Sequence, residues 1–212
     1  MVKKRKETVH IYIEGGGDQA LLQSKLRHGF GEFFKKLKLG ASPAVHAGGG
    51  RGHTFDKFRI AVGQGKKCLL LVDSEDFVDE KCQSAWQHFK SRKEDEHWEK
   101  PGGSTDDAAH MMVCCMESWF LADRKTLKKF FGNDFKEQKL PAGNALEAIP
   151  KDKVFDGLKQ ACKSCKKNGK NGCYDKGTHS FTLIGKIKPT KVEDASPWAK
   201  KFFDKLRKVC KS

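Results

Sequence analysis

The order of apolar and polar positions divides the chain into strand-like and helix-like segments in regular succession. "TVHIYIE" alternates and then turns apolar, as a buried strand does. Beyond Gly17, the residues Leu22, Leu26, Phe30, Phe33 and Leu37 form a helical stripe. Gly29 and Gly31 lower the helix propensity of its middle. "SPAVHA" predicts a short second strand, and Phe55, Phe58 and Val62 a second helix. "KCLLLVDSED" is the strongest strand signal, a continuous apolar run stopped by acids, which suits a central parallel strand covered on both faces. A helix with Trp86 and Phe89 follows. The charged stretch from Ser91 to Asp107 then reads as an exposed loop, with Trp98 as an exposed aromatic. "AHMMVCCMESWFLAD" predicts a fourth apolar strand, in which Cys114, Cys115, Trp119 and Phe120 read as core. Asp123 caps the next helix, which runs to Phe131 and is closed by Gly132.

The last third differs in character. "LPAGNALEAIPKDK" is loop-like, Val154, Leu158 and Ala161 mark a helix, and "CKSCKKNGKNGCYDKGTHS" is basic and rich in turn residues. "FTLIGKI" fits a final strand or a helix. Ser196 as N-cap, Pro197 at the first helical position and Trp198, Phe202, Leu206 and Val209 on one face define a terminal helix. The β-α-β-α-β-α-β order predicts an α/β fold, a parallel sheet flanked by helices, over residues 1–135. Residues 136–212 form a basic, helical C-terminal extension packed on the same domain.

Charge narrows the choice of partner. Lys and Arg outnumber Asp and Glu by 42 to 27, a net +15, which favours polyanions through counterion release and steering. A solvated lysine-rich surface is the alternative. No apolar run approaches the roughly 18 residues of a membrane span, and the apolar stretch ending at Glu14 is too short for a secretion signal. Eight cysteines in such a chain imply reduced thiols, so the expectation is a cytoplasmic protein with no membrane partner.

Three of the four expected strands stop at acids: Glu14; Asp73 with Glu75 and Asp76; and Glu117. If the first and third strands are neighbours, Glu14 and Asp73 lie about one strand spacing (~4.8 Å) apart. Carboxylates at that separation repel unless a cation bridges them, and hard oxygen ligands of this kind suit Mg²⁺ or Mn²⁺. Acids also end strands and cap helices for structural reasons alone; the coincidence of Glu14 with Asp73 and Glu75 is what favours a metal site. Alternation along Asp73-Ser74-Glu75 points both acids the same way, and Asp18 reads as the N-cap of the following helix.

"EGGGDQ" lacks the G-x-G-x-x-G spacing and the Lys-Ser/Thr of a P-loop, so its glycines are expected to clear space for a phosphate rather than to bind a nucleotide in that manner. "AGGGRGH" is a second such loop. There Gly49 and Gly50 let a backbone approach, Arg51 can fork onto a phosphate, and His53 can assist. Cys162, Cys165, Cys173 and His179 have the composition of a zinc site, but Cys162 and Cys165 continue the stripe of Leu158 and Ala161, which favours burial as apolar residues, and zinc is disfavoured.

"IYIEGGGD" with "LLLVDSED" resembles the Toprim domain shared by topoisomerases, DnaG-type primases and OLD-family nucleases. With "AGGGR", "CMESWFLAD" and "YDKGTH", the chain from Val9 to Phe203 is similar to a family of small stand-alone Toprim-like proteins encoded beside ABC-type ATPases in bacterial defence islands. The resemblance implies a Toprim/Rossmann-like fold and a nuclease in an ATPase-gated anti-phage system. Its substrate would be DNA or RNA, its partner an ABC/OLD-type ATPase, and it could be a homo-oligomer. Glu14 then matches the Toprim glutamate, general acid/base and part-time metal ligand, and Asp73 and Glu75 match the Asp-x-Asp metal pair, with Glu in place of the second Asp. Glu117 and Asp123 match further acidic positions; Glu117 would complete a second metal site or bind a basic residue of the extension. Lys176 and His179 would face the scissile phosphate if the extension folds back over the strand ends. The alternative is a catalytically silent module that binds nucleic acid or an ATPase.

Overall fold

The computed structural model describes residues 7–143, 145–165 and 172–211. The central part of the basic "CKSCKKNGKNGC" segment lies outside the described residues. In chain order the elements are β1 (His10–Ile13), α1 (Ala20–Lys35), β2 (Ala44–Ala47), α2 (Arg51–Gly63), β3 (Cys68–Asp73), α3 (Ala85–Ser91) and β4 (Ala109–Met112). A 3-10 run (Met116–Asp123) leads into α4 (Arg124–Phe131), and α5 (Lys151–Cys162), α6 (Lys176–Lys186), α7 (Pro189–Ala195) and α8 (Pro197–Val209) follow. The four strands form one sheet in the order β2-β1-β3-β4, with every adjacent pair parallel. This is the expected α/β architecture, consistent with the Rossmann/Toprim-like class.

The continuous apolar character of the strands follows from burial on both faces. Ile11, Ile13, Leu69, Leu71 and Met112 belong to a core shared with Phe30 and Phe33 of α1, Ile184 of α6 and Phe203 of α8. Tyr12, Leu70, Val72 and Met111 point the other way, into a smaller core with Phe55 and Phe58 of α2 and Trp86 and Phe89 of α3. Residues from both the first and the last third of the chain therefore build the larger core. Where α1 crosses α6 the backbones nearly touch: a Cβ on Gly29 would meet the Phe181 carbonyl oxygen at 2.1 Å. The glycine that weakens the α1 pattern is thus what allows α6 to seat against it.

Several local expectations are corrected. The fourth strand ends at Met112, and the rest of the apolar run turns through Cys114 in a left-handed conformation (φ 60°) into the 3-10 run, so Glu117 is not a strand-terminal acid. "FTLIGKI" is helical, within α6. Asp18 does not cap α1; Gln19 occupies the N-cap position and its side chain makes no capping bond. The 91–107 stretch is not simply exposed. Trp98 is 2% exposed and stacks on Phe55 with ring centroids 4.3 Å apart, and Asp95 is buried beside it. Asp123 and Ser196 do cap their helices, accepting from Thr126 N and Ala199 N.

Candidate metal centre

The sheet order reverses between β1 and β3: from β1 the chain steps outward to β2, and from β3 outward to β4 on the other side. In open parallel sheets, ligands bind beyond the strand ends at such a switch point, because the loops part there. Glu14 follows β1 directly, with its N–H donating to Leu71 O (3.0 Å), and Asp73 ends β3. Glu14 Oε2 accepts from the Asp73 N–H at 3.1 Å. Carboxylate oxygens of Glu14, Asp73 and Glu75 all lie within 4.8 Å of one another.

Glu75 reaches this cluster by a different route from the one its spacing suggests. The strand has already ended. Ser74 turns inward, where its Oγ accepts from Cys114 N (2.7 Å) and donates to Asp76 O (2.6 Å), and its carbonyl oxygen accepts from His88 Nε2 (3.0 Å). Glu75 then adopts φ 68°, a left-handed conformation uncommon for a residue with a side chain. Such backbone strain persists where the surroundings over-determine it, and it concentrates at functional sites.

Burial raises the Asp73 carboxyl well above the usual aspartate range, and the charges of Glu14 and Glu117 push it further. Burial also raises Glu14, against the pull of the Arg51 guanidinium and the Asp73 N–H. The Asp73 side chain accepts from Met116 N at 2.8 Å. The converging carboxylates of Glu14, Asp73 and Glu75 could hold a divalent cation, whose charge would offset the burial of Glu14 and Asp73 and the repulsion between them.

The carboxylates stand at the edge of a cavity of about 410 Å³, lined by Glu14, Asp73, Glu117, Lys176 and the glycines of both loops, with Leu22, Met116 and Phe181 supplying apolar wall. The two glycine loops are tied together by reciprocal bonds, Gly15 N to Gly49 O (2.8 Å) and Gly49 N to Gly15 O (3.0 Å). Gly49 and Gly50 both border the cavity.

The remaining candidates are distributed unevenly. Lys176, the first residue of α6, borders the cavity while its ammonium stands 5.4 Å from the Phe155 ring centroid. His179, one turn on, does not face a phosphate position: it is buried, its Nδ1 accepts from Asp175 N (3.0 Å), and its ring packs edge-on against Phe130 and Phe131. Arg51 is not an open phosphate fork. It donates through Nε and Nη2 to Asp95, and through Nη1 to Asp73 O and to Glu14 Oε2 (3.3 Å), with its plane near Phe89 and Trp98. Arg51 thus locks the two strand ends to the 91–107 loop. Glu117 is fully buried. Its Oε1 accepts from Tyr174 OH and Ser180 Oγ, both at 3.0 Å, and its Oε2, bordering the same cavity as Asp73, has no partner. Asp123 is occupied in capping α4 and in accepting from Lys188 N. Of the proposed zinc set, Cys162 Sγ is buried, accepts from Tyr174 N (2.6 Å) and lies 3.8 Å from Cys173 Sγ.

Sequence reasoning missed two residues. Lys151 at the start of α5 is ion-paired with Glu75, and Asp95 anchors Arg51. Neither has a local signature: both belong to lysine- and acid-rich runs, and their partners lie 76 and 44 positions away.

The chain matches the family model DUF4276, a domain of unknown function, over residues 13–207. It belongs to that family. The match spans the glycine loops, the carboxylate cluster and α6. No curated protein and no solved structure matches the chain. Among the described residues, no helix is long and apolar enough to cross a membrane.

Proposed function

We propose that this DUF4276 protein is a Toprim-type, metal-dependent phosphodiesterase acting on nucleic acid. The observation that carries the reading is the convergence of Glu14, Asp73 and Glu75 within 4.8 Å at the switch point of a parallel sheet, beside a cavity walled by two glycine loops. Asp73 and Glu75 would hold the cation, with Glu14 as a further ligand. A bound Mg²⁺ or Mn²⁺ supplies Lewis-acid polarisation of a phosphate and a more acidic water. Glu14 has one oxygen, Oε2, engaged by Asp73 N and Arg51, which leaves Oε1 to accept a proton from water. Its raised pKa suits that role, because a base works best when its pKa lies near the working pH. Lys176 offsets phosphate charge at the cavity wall, and the net +15 draws in the polyanion. The Toprim resemblance adds an ABC/OLD-type ATPase partner and a role in anti-phage defence.

A silent binding module is the second reading. It is favoured by the basic residues already seated on two of the three carboxylates, Lys151 on Glu75 and Arg51 on Glu14. The deciding experiment incubates purified protein, with and without its ATPase partner, with single- and double-stranded DNA and RNA in Mg²⁺, Mn²⁺ or chelator. The phosphodiesterase reading expects metal-dependent cleavage that Asp73→Ala abolishes while polynucleotide binding persists. Salt-sensitive binding with no cleavage in any metal, partner present, would establish the silent module instead.

A further inference from the structure

Two thiols meet outside the carboxylate cavity. Cys162 is the last residue of α5, and Cys173 stands three residues before α6. Their Sγ atoms are 3.8 Å apart, although 11 positions separate them in sequence. A disulfide holds its sulfurs about 2.05 Å apart, so the gap left to close is under about 2 Å.

The two thiols differ in what can reach them. All eight cysteines of the chain are among the described residues, and Cys173 is the one that is exposed. Cys162 is fully buried. A soluble oxidant therefore meets Cys173 first. Burial raises the Cys162 thiol above the usual cysteine range, and its proton is donated to Leu158 O (2.9 Å).

The pair lies at the root of a strap that reaches the carboxylate cavity. Tyr174, next to Cys173, donates its backbone N–H to Cys162 Sγ (2.6 Å) and its hydroxyl to Glu117 Oε1 (3.0 Å). Lys176, two residues further on, borders the cavity. Cys162 Sγ is thus a point at which the strap is tied to α5. Joining the two sulfurs removes the thiol protons and leaves Cys162 Sγ a lone pair to accept from Tyr174 N. Oxidation at this place fastens the strap rather than releasing it.

We propose that Cys173 is a peroxide-sensitive site and Cys162 its resolving thiol. The Cys173 sulfur attacks one oxygen of hydrogen peroxide, the O–O bond breaks, and the departing hydroxide leaves with the Cys173 proton as water. The Cys162 sulfur then attacks the Cys173 sulfenic acid. The S–S bond forms, the S–O bond breaks, and the hydroxyl leaves with the Cys162 proton as a second water. Two thiols are oxidised to one disulfide while one peroxide is reduced to two waters. The chemistry uses neither the carboxylates nor a metal, so it stands apart from the phosphodiesterase reading.

Treatment of the reduced full chain with a small molar excess of hydrogen peroxide, in chelator, tests the assignment. Two of the eight thiols should be lost and should return with dithiothreitol. Non-reducing peptide mapping should join the peptides of Cys162 and Cys173. The oxidised protein should melt roughly 5–10 °C higher, the gain for closing a loop of this length in a chain of this size. Cys173→Ser, a change at an exposed side chain, should abolish both the thiol loss and the rise in Tm. A map that joins Cys165 to either partner, oxidation of Cys173 without a bridge, no thiol loss, or a Tm unchanged or lowered by the bridge would each overturn the proposal.

Discussion

Replacing Asp73 by Asn should stabilise the metal-free protein at neutral pH while removing its response to metal. Carboxylate oxygens of Asp73 and Glu14 lie within 4.8 Å. At an effective dielectric constant of about 20, two unit charges at that distance repel by about 3.5 kcal/mol. Arg51 Nη1, 3.3 Å from Glu14, offsets part of this, so about 2 kcal/mol is a reasonable net relief. Asn keeps the Oδ1 acceptor for Met116 N, so the local backbone need not change. For a chain of this size the gain corresponds to a Tm increase of about 4–8 °C.

The pH dependence carries the sharper test. The folded-state pKa of Asp73 is raised, so between the unfolded value, about 3.9, and the folded one the native state holds a proton that the unfolded state has released. Stability contributed by this group therefore falls as pH rises through that window. Wild type and Asp73→Asn should have similar Tm values near pH 3.5 and should diverge toward pH 7, with the variant the more stable. Addition of Mn²⁺ should raise the wild-type Tm and leave the variant unmoved. Differential scanning calorimetry in chelator, then in metal, reads both effects. A variant less stable than wild type at pH 7, or a Tm difference that does not change with pH, would refute the claim that Asp73 is held against its own ionisation.

Lys151→Met should free Glu75 and tighten Mn²⁺ binding roughly fivefold, the equivalent of a half-buried ion pair worth about 1 kcal/mol, as read by titration calorimetry; unchanged or weaker binding would mean the lysine does not compete with the cation. Arg51→Met should leave Asp95 with only Arg92 as its cationic partner and cost about 3 kcal/mol in urea denaturation. The Asp95 pKa is lowered, chiefly by Arg51 acting against burial, so the stability it supplies is present above about pH 3.9 and is lost as pH falls through its folded value; much of the loss in Arg51→Met should therefore vanish in acid. The two α1 glycines should respond with opposite signs. Gly29→Ala would drive a methyl into the Phe181 carbonyl and lower Tm, whereas Gly31→Ala meets nothing within 4 Å and should raise stability by up to about 1 kcal/mol in thermal melts.

What could be read in the sequence was whatever local pattern determines. β3 was legible because a strand buried on both faces must be apolar along its length, and it is so from Cys68 to Val72. Glu14 and Asp73 were legible because a charge cannot continue such a strand, so acids mark its end where a ligand can reach them. The fourth strand was over-extended for the same reason: a 3-10 run buried all round is as continuously apolar as a strand, and periodicity has nothing to separate them. Trp98 and Asp95 were read as surface because a charged run usually is. What buries them is tertiary: Trp98 packs on Phe55 and Phe89 of the second core, and Asp95 is held beside it by Arg51.

The most instructive case is Glu75, where the expected convergence holds for a reason the spacing did not contain. Strand alternation would bring Asp73 and Glu75 to one side only if the strand continued, and it does not. The left-handed turn at Glu75, held by the bonds of Ser74 to Cys114, Asp76 and His88, directs the side chain toward Glu14 instead. A residue placed by strand geometry has little freedom, whereas one placed by a strained turn depends on those supports. Ser74→Ala removes the Oγ bonds while leaving all three carboxylates intact. If the turn is what completes the site, the variant should bind Mn²⁺ several-fold more weakly with only a modest fall in Tm; metal affinity equal to wild type would show that Glu75 is positioned by its ion pair with Lys151 alone.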